Sequence, residues 1–418
     1  MAKHRWATAI LITFLLSAFN FVAIQSSVQA ESSGDDWPMF HHDPAHTGYS
    51  TNSVPTTPPV VLWASPKGLG GSPVVLHDYV YIISQAGISC FNTSNGEQIW
   101  NQRLQYGFGA EVAPAVSGGY VYTPMLAYNA STGELVLNYT DSWGGTSPTV
   151  ANGMIYLGYR YADVDRGGVF ALDASTAAVK WNFTAGHVSS SPTVAYDRVY
   201  FSSWDGNVYA LDALSGAKVW NQRASGLLRD SSPAVVDGHV FIGSSTNVYA
   251  FDALTGAKIW SYPTSGSGYS SPAVANGYVY VGSLDANIYA LNASTGEQIW
   301  NATVGGSSSP SVADGVVYTG DSYKILAFNA TTGSKIWSYT FPETEDYVPS
   351  SPAIVDGVVY AGGGQAIYAF GASAPTQHSL SQGPFPSIWV AVAIVVSVVA
   401  VVGVGLLIYF KKRKRTQL

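Results

Sequence analysis

Short apolar runs rich in Val, Ile and Tyr recur along most of the chain and are separated by polar turns. In the clearest unit, residues 271–300, four such runs lie at 273–274, 278–282, 288–291 and 297–300. Runs of β-branched and aromatic residues bounded by turn residues are typical of strands, and the repeated region has no sustained helical period. The pattern therefore predicts an all-β unit of four short strands, repeated many times.

The turn between the first two runs of a unit carries a hairpin signature. Asn-Gly or Asp-Gly favours a two-residue hairpin, because both central residues of that turn adopt positive φ. The signature occurs in five units, at Asn152-Gly153, Asp237-Gly238, Asn276-Gly277, Asp314-Gly315 and Asp356-Gly357. These units are therefore predicted to begin with antiparallel pairs.

A second turn joins the last two runs, and its residues are spaced regularly. Asn or Asp opens this turn, Gly follows four residues later and Trp eight residues later, as in Asn292, Gly296 and Trp300. The Asx side chain can hydrogen-bond the turn backbone, and Gly leaves space for a neighbouring indole. We predict that one indole per unit docks between adjacent sheets. The predicted docking residues are Trp63, Trp100, Trp181, Trp220, Trp260, Trp300 and Trp337, with Leu137 in the slot of one unit.

The repeats predict a closed ring. A Ser-Pro-x-x-Val type motif returns eight times, and the docking slots are 37 to 44 residues apart, a period that matches a four-stranded propeller blade. The last copy stops at Phe370 without its fourth strand, and Val60–Trp63 near the N-terminus resembles the missing piece. We therefore predict an eight-bladed β-propeller of four-stranded antiparallel blades, closed by the N-terminal strand, because closure removes an open edge.

The repeat resembles the tryptophan-docking motif of the quinoprotein (PQQ-like) propeller family. The resemblance covers residues 36–371, including the lead-in Asp36-Trp37-Pro38-Met39-Phe40 and His46-Thr47-Gly48. The family includes enzymes and non-enzymatic members such as the outer-membrane assembly propeller lipoprotein. The resemblance implies the fold; it does not by itself imply an activity.

The two ends predict export and anchoring. Residues 1–30 combine a basic start, an apolar run and a small-residue cleavage site, as in a signal peptide. Residues 31–371 are expected to form the propeller and 372–387 a flexible tether. Residues 388–410 are an uncharged stretch of 23 residues, about 34 Å as a helix, and 411–418 are basic. A single-pass cell-membrane protein is expected, with the propeller extracytoplasmic and the C-terminus cytoplasmic.

Charge, cysteine and sequons refine this picture. Lys and Arg number 19 against 26 Asp and Glu, and seven of the basic residues lie in the two ends, so the part between carries about −14. This balance argues against a nucleic-acid partner. Cys90 is the single cysteine and excludes an internal disulfide. On an exported protein seven Asn-x-Ser/Thr sequons are candidates for glycosylation: Asn92, Asn129, Asn138, Asn182, Asn292, Asn301 and Asn329.

Two kinds of chemistry are weighed and neither is favoured. His41, His42, Asp43 and His46 have the residue types of a metal site, but packing of the lead-in on the ring is the preferred interpretation, and no metal is expected. A quinoprotein enzyme needs PQQ stacked on an aromatic floor, Ca²⁺ held by carboxylate and amide, and an Asp base. No residue here matches those roles, and one cysteine cannot form the vicinal pair that many members use. No catalytic residue and no cofactor are predicted.

The loop face that carries the entries to the innermost strands is the predicted contact surface. Residues 158–168 form the largest departure from the repeat, inserted between the second and third runs of the third unit. Exposed Trp and Arg are enriched where proteins meet partners. The partner-binding candidates are Arg160, Asp163, Asp165, Trp204, Asp205, Arg229 and Asp230. We expect an extracytoplasmic protein- or glycan-binding scaffold of unassigned oligomeric state; the alternatives are a PQQ-dependent oxidoreductase and a structural surface-layer component.

Overall fold

Eight antiparallel blades of four strands stand around one axis, as the repeats predict, and the short strand Tyr49–Ser50 adds a parallel fifth strand beside Ser311–Ala313. A computed structural model describes residues 36–55, 58–66, 71–104, 112–139, 145–161, 165–305, 308–320, 323–342, 350–363 and 366–372. We number the blades 1 to 8 from the first Ser-Pro motif, and name their strands innermost, second, third and outer. The fold class predicted for the repeated region is confirmed: an all-β, eight-bladed propeller.

The innermost strands are short and buried, and each contacts the innermost strands of both neighbouring blades, so they form a closed ring around the axis. In blade order they are Val74–Leu76, Ala115–Ser117, Thr149–Ala151, Thr193–Ala195, Ala234–Val236, Ala273–Ala275, Ser311–Ala313 and Ala353–Val355.

The remaining strands follow outward in sequence order within each blade. The second strands are Tyr79–Ser84, Tyr120–Tyr122, Met154–Arg160, Arg198–Ser202, His239–Gly243, Tyr278–Gly282, Val316–Gly320 and Val358–Gly363. The third strands are Gly87–Asn92, Leu126–Asn129, Gly167–Asp173, Asn207–Asp212, Asn247–Asp252, Asn287–Asn292, Lys324–Asn329 and Ala366–Gly371. The outer strands of blades 1 to 7 are Gln98–Gln102, Leu135–Asn138, Val179–Ala185, Lys218–Arg223, Lys258–Pro263, Gln298–Thr303 and Lys335–Thr340.

The outer strand of blade 8 comes from the N-terminal part of the chain. Val60–Ala64 pairs antiparallel with Ala366–Gly371, and Trp63 lies opposite Ala369. The indole of Trp63 is buried and takes the same slot as the indoles of the other blades. The predicted closure of the ring is confirmed, and it ties the first and last parts of the propeller together.

The predicted hairpin turns adopt the expected positive φ, whereas the inserted loop predicted at residues 158–168 is wrong. In blade 6, Asn276 and Gly277 have φ of 52° and 79°. Residues 158–168 were expected to form an inserted loop between two strands of blade 3, but they mainly lengthen its hairpin, with Gly158 opposite Val169 and Arg160 opposite Gly167. The two strands can extend because their added residues keep pairing across the ladder.

Each docking indole seals the gap between two blades. Gly216 of one blade lies so close to Trp181 of the preceding blade that a Cβ atom there would stand 2.6 Å from the ring. Six docking tryptophans donate from Nε1 to a carbonyl oxygen in the turn of the next blade. Those carbonyls belong to Thr93, Ala130, Ala213, Ala253, Ala293 and Ala330.

The boundary between blades 7 and 8 lacks this bond. Tyr318 and Trp337 of blade 7 are buried, and neither Tyr318 Oη nor Trp337 Nε1 has a hydrogen-bond partner among the described residues. The cause is ring closure: blade 8 takes its outer strand from the N-terminal region, so no turn joins its third strand to its outer strand. In blade 6 the equivalent groups, Tyr280 Oη and Trp300 Nε1, both donate to the Ala330 carbonyl.

Tyr318→Phe and Tyr280→Phe are therefore expected to differ. Removing the Tyr280 hydroxyl loses a buried hydrogen bond and should lower the free energy of unfolding by about 1–2 kcal/mol. Removing the Tyr318 hydroxyl takes away a buried donor without a partner, so the same change should be neutral or stabilising by up to about 1 kcal/mol. Urea denaturation of the two variants measures the difference; an equal loss in both would show that an acceptor reaches Tyr318.

The chain divides by packing into Met1–Pro375 and Thr376–Leu418. Within the described ranges, no helix is both long and apolar enough to cross a bilayer. The predicted signal peptide (1–30), transmembrane segment (388–410) and basic tail (411–418) lie outside the described residues, as does the tether apart from Ala372.

Candidate functional site

A cavity of about 430 Å³ opens on the axis at the end where the innermost strands begin. We call it the funnel. Six of the serines that precede a motif proline line it: Ser147, Ser191, Ser232, Ser271, Ser309 and Ser351. Loop residues from blades 3 to 6, among them Arg160, Asp230 and Tyr269, surround its wall. Most of the residues that line the funnel therefore carry a hydroxyl group.

The Ser-Ser-Pro motif explains why the wall is rigid. The second serine accepts a hydrogen bond from the backbone N–H of the equivalent residue in the preceding blade; the Ser191 amide, for example, donates to Ser232 Oγ at 2.8 Å. The first serine binds its own blade, since Ser231 Oγ accepts from the Gly243 amide at 3.0 Å. The motif thus ties each blade to itself and to its neighbour, a role that sequence reasoning missed.

The N-terminal segment, residues 36–54, closes the floor of the funnel. Its carbonyl groups accept hydrogen bonds from the innermost strands of blades 1, 2, 4, 5, 6 and 7 in turn, beginning with Trp37 and Val75. Blade 3 is reached through the side chain of His46 and blade 8 through that of Asn52. Phe40 is buried and lines the funnel from below. The segment therefore bonds to all eight blades and fixes their spacing at the axis.

The four residues with metal-ligand chemistry, His41, His42, Asp43 and His46, lie in this segment, and His42 Nδ1 lies 3.4 Å from Asp43 Oδ2. Asp43 accepts from the Thr47 hydroxyl at 2.6 Å and from the Thr47 amide at 3.1 Å. The two ring nitrogens of His46 lie 3.1 Å and 2.9 Å from hydroxyls of blades 3 and 4. His41 is buried against Phe40. Among the described residues no three His, Cys, Asp or Glu side chains are grouped to hold a metal ion.

Burial controls the ionisation of the two inner histidines. Loss of water lowers the pKa of His46 from 6.5 to about 4, although the nearby Asp43 carboxylate acts in the opposite direction. Burial, with a smaller contribution from the neighbouring His46, lowers the pKa of His41 to about 3. Both imidazoles are therefore neutral at pH 7, and their place in the fold is the packed interior of the segment.

A stack of five side chains runs beside the funnel from blade 3 to the loop before blade 6, and its two end members, Arg160 and Tyr269, line the funnel. We call it the ladder: Arg160, His187, Trp204, Arg229 and Tyr269. Arg160 Nη1 lies 3.3 Å from His187 Nε2, and the His187 ring stacks on Trp204 with centroids 4.1 Å apart. The Arg229 guanidinium lies 5.1 Å from the Trp204 ring and 5.5 Å from the Tyr269 ring. Each cation–π contact contributes about 0.5–2 kcal/mol, so the ladder is preorganised.

The ladder leaves polar groups available at its edges. Among the described residues no carboxylate lies within ion-pair distance of Arg229, and no hydrogen bond to its guanidinium is formed. Burial, together with the charge of Arg160, lowers the pKa of His187, which keeps that ring neutral near pH 7. Trp204 and Tyr269 each expose 37% of their surface. The ladder therefore presents planar cations held between aromatic rings, a composition typical of binding hot spots.

The predicted partner-binding residues have different surroundings. Arg160, Trp204 and Arg229 are brought together in the ladder, and Asp230 lines the funnel beside them. Asp205 is engaged in its own loop, where it accepts from the Tyr209 hydroxyl and the Asn207 and Gly186 amides. Asp163 lies outside the described residues, and Asp165 is exposed. His187 and Tyr269 were not predicted, because no local pattern marks them; only stacking across blades does.

The residues of the funnel do not match a quinone site. Among the described residues of the wall, Asp230 is the single carboxylate, and no carboxamide is present to complete a Ca²⁺ site. Cys90 lies in the third strand of blade 1, where burial raises the pKa of its thiol. The funnel therefore does not bring together the carboxylate and amide groups that PQQ and its Ca²⁺ need, and we derive no step through that cofactor.

Comparison with known proteins agrees with the fold. The family model described as outer membrane protein assembly factor BamB (PQQ_2) matches residues 84–165, 158–271 and 247–374. No curated protein sequence matches the chain. BamB from Moraxella catarrhalis superposes with a TM-score of 0.61 and 20% identity, covering 77% of this chain and 99% of that one.

Two solved enzymes share the fold at lower identity. Quinohemoprotein alcohol dehydrogenase from Comamonas testosteroni has a TM-score of 0.66 and 15% identity, covering 85% of this chain and 84% of that one. A europium-containing methanol dehydrogenase has a TM-score of 0.67 and 13% identity, covering 81% and 98%. At these identities the likeness shows the propeller architecture alone, which both binding proteins and enzymes use.

Proposed function

Since this chain belongs to the family described as outer membrane protein assembly factor BamB (PQQ_2), we propose that it is a non-catalytic scaffold that binds a protein partner. The partner docks on the funnel face through the ladder. The propeller is exported by its signal peptide and held at the cell membrane by residues 388–410, with the tail inside; the apolar stretch and the basic residues that follow it support this part of the proposal.

The observation that carries the proposal is the ladder. Arg160 belongs to blade 3 and Trp204 to blade 4, and the other three side chains lie in the loops between successive blades from 3 to 6. A repeat needs no such stack to close its ring. Arg and Trp dominate hot spots because they combine a large apolar face with directional donors. The hydrogen-bonded serine wall beneath them does not need to rearrange, so little entropy is lost when a partner is bound.

The chemistry of the partner follows from the same groups. The Arg229 guanidinium contacts the rings of Trp204 and Tyr269, and the N–H donors of a guanidinium match a carboxylate or a pair of backbone carbonyls. The partner surface is therefore expected to insert an acidic side chain or an exposed peptide segment above the funnel. Asp230, beside Arg229, favours a ligand that also brings a hydrogen-bond donor.

Capture of the partner by variants tests the proposal. The protein is cross-linked in its own membranes, purified, and its protein partner quantified by mass spectrometry. Arg229→Ala should lower the apparent affinity about 30-fold, a loss typical of a hot-spot residue. Arg229→Lys should recover little, because lysine cannot reproduce the planar stack.

The control is Lys258→Ala, which removes a positive charge from the exposed start of the blade 5 outer strand. It should leave both capture and the thermal midpoint unchanged. Arg229→Ala should still fold cooperatively, with a lower thermal midpoint because it loses its contacts with Trp204 and Tyr269. Undiminished capture by Arg229→Ala would overturn the proposal. A saccharide as the captured ligand, a second copy of this chain, or dye reduction after addition of PQQ with Ca²⁺ would favour the glycan-binding, surface-layer or oxidoreductase alternatives instead.

A further inference from the structure

The seven sequons fall into two structural classes. Four of their asparagines open the turn between the third and outer strands: Asn92, Asn129, Asn292 and Asn329. In each, Oδ1 accepts a hydrogen bond from the backbone N–H two residues later, at 2.9–3.0 Å. Asp173, Asp212 and Asp252 occupy the same slot and make equivalent bonds, so the turn requires only the oxygen.

The turn asparagines are also confined. All four are half-buried, and the turn that each opens packs on the docking indole of the preceding blade. The turn at Asn92, for example, supplies the Thr93 carbonyl that accepts from Trp63 Nε1. A glycan attached in this slot would have to fit against the neighbouring blade.

The other three asparagines lie on outer strands, directly after the docking slot: Asn138, Asn182 and Asn301. Their side chains are exposed at the rim of the propeller. Tyr159 donates its hydroxyl to Asn182 Oδ1 at 3.0 Å, and none of the three Nδ2 groups has a hydrogen-bond acceptor among the described residues. On a strand, the residue two positions on faces the same side, so Thr184 lies beside Asn182 and Thr303 lies beside Asn301.

Blades 1 and 4 carry asparagine at the same position without a sequon. There Nδ2 is engaged: Asn101 Nδ2 donates to Ser89 Oγ at 3.5 Å, and Asn221 Nδ2 donates to Asn207 Oδ1 at 3.2 Å. Within this set, the amide nitrogens that lack an acceptor are those that belong to sequons.

We propose that Asn138, Asn182 and Asn301 are N-glycosylated and that the four turn asparagines are not. The inference rests on the proposed export of the propeller. The donor is a lipid-diphosphate-linked oligosaccharide: the Asn Nδ2 forms a bond to the anomeric carbon, the anomeric C–O bond to the diphosphate breaks, and Nδ2 loses one proton to solvent. No oxidation or reduction occurs.

The position of these sites suits the scaffold. The three sites lie on the perimeter of blades 2, 3 and 6, away from the funnel wall. The outer strands are open edges that expose aliphatic residues, among them Ile99, Val136, Val179 and Ile299. Bulky polar glycans there hinder edge-to-edge pairing between copies while the ladder stays accessible.

The test maps all seven sequons in the full-length protein isolated from its own membranes. Glycopeptide mass spectrometry should find a glycan on the Asn138, Asn182 and Asn301 peptides and none on the four turn peptides. Replacing the three strand asparagines with glutamine should remove the whole carbohydrate mass. Ser338→Asn completes a sequon with Thr340, at the same position of the blade 7 outer strand, and should add a fourth glycan.

Protease accessibility of the propeller on intact cells separates the two proposals. An accessible propeller whose strand peptides carry no glycan would overturn this inference and leave export standing. Turn peptides modified as fully as strand peptides would also overturn it. A protected propeller without glycans would overturn export, and the inference with it.

Discussion

Gly256→Ala should lower the free energy of unfolding by about 2–5 kcal/mol. Gly256 has φ of +73°, a conformation that costs an L-residue about 1–2 kcal/mol, and its added Cβ would lie 2.7 Å from Trp220 Cδ2. Overpacking of a filled site adds about 1–3 kcal/mol. The docked indole cannot retreat, because its Nε1 is bonded to the Ala253 carbonyl. Chemical denaturation followed by tryptophan fluorescence measures the loss.

The chain offers its own matched control for this site. Blade 3 has Ala177 in the glycine slot with φ of +60°, and the preceding blade has Leu137 in the tryptophan slot. Gly256→Ala combined with Trp220→Leu should therefore lose about 1–3 kcal/mol less than the sum of the two single variants. Ala177→Gly should stabilise by about 1 kcal/mol, since it removes only backbone strain. Additive losses in the double variant would show that the glycine and the indole are not coupled.

Acid should destabilise the propeller between pH 6.5 and about 4. Burial lowers the pKa of His46 to about 4 and of His41 to about 3, against 6.5 for an exposed histidine. In this range the unfolded chain binds protons at both imidazoles and the folded chain does not, so unfolding takes up protons. The contribution of the two neutral histidines to the free energy of unfolding is complete above pH 6.5. As the pH decreases below 6.5, it falls by roughly 1.4 kcal/mol per pH unit for each histidine.

The free energy of unfolding measured from pH 7.5 to 4.5 tests this prediction. His46→Gln keeps a hydrogen-bond donor and an acceptor for Thr149 and Thr193 but cannot titrate. It should therefore remove about half of the decrease in the free energy of unfolding with falling pH. The same variant at pH 7.5 is the control, because both imidazoles are neutral there in either state. A slope that His46→Gln leaves unchanged would place the proton uptake elsewhere in the chain.

The sequence was most informative where the backbone conformation of a turn favours one or two residue types. Positive φ in a hairpin selects Asn-Gly and Asp-Gly, and all five predicted turns have it, from Asn152 to Asp356. The same backbone occurs at Tyr196 and Asp197, with φ of 51° and 56°, where the sequence gives no such signal. There the pairing of the flanking strands Thr193–Ala195 and Arg198–Ser202 imposes the turn.

The candidate site was only partly accessible from the sequence. Arg160, Trp204 and Arg229 stood out as exposed loop residues of interacting types, but His187 and Tyr269 belong to other loops and become neighbours through blade packing. Likewise, Ser-Pro was visible as a repeat, while its hydrogen bond to the next blade links Ser191 to Ser232, 41 residues away.

The chain by itself determined the number of blades, their four-stranded form and the closing strand, because each repeat records the same local turns and the same docking slot. Only the tertiary structure decided that residues 36–54 bond to all eight inner strands and that five side chains stack beside the funnel. It also decided that Tyr318 Oη and Trp337 Nε1 have no hydrogen-bond partner in the described part of the chain. Those contacts join residues far apart in the chain, and their geometry is set by how the blades pack around the axis. The amino-acid sequence therefore indicates how many residues separate successive blades, but it does not indicate the distances between their loops.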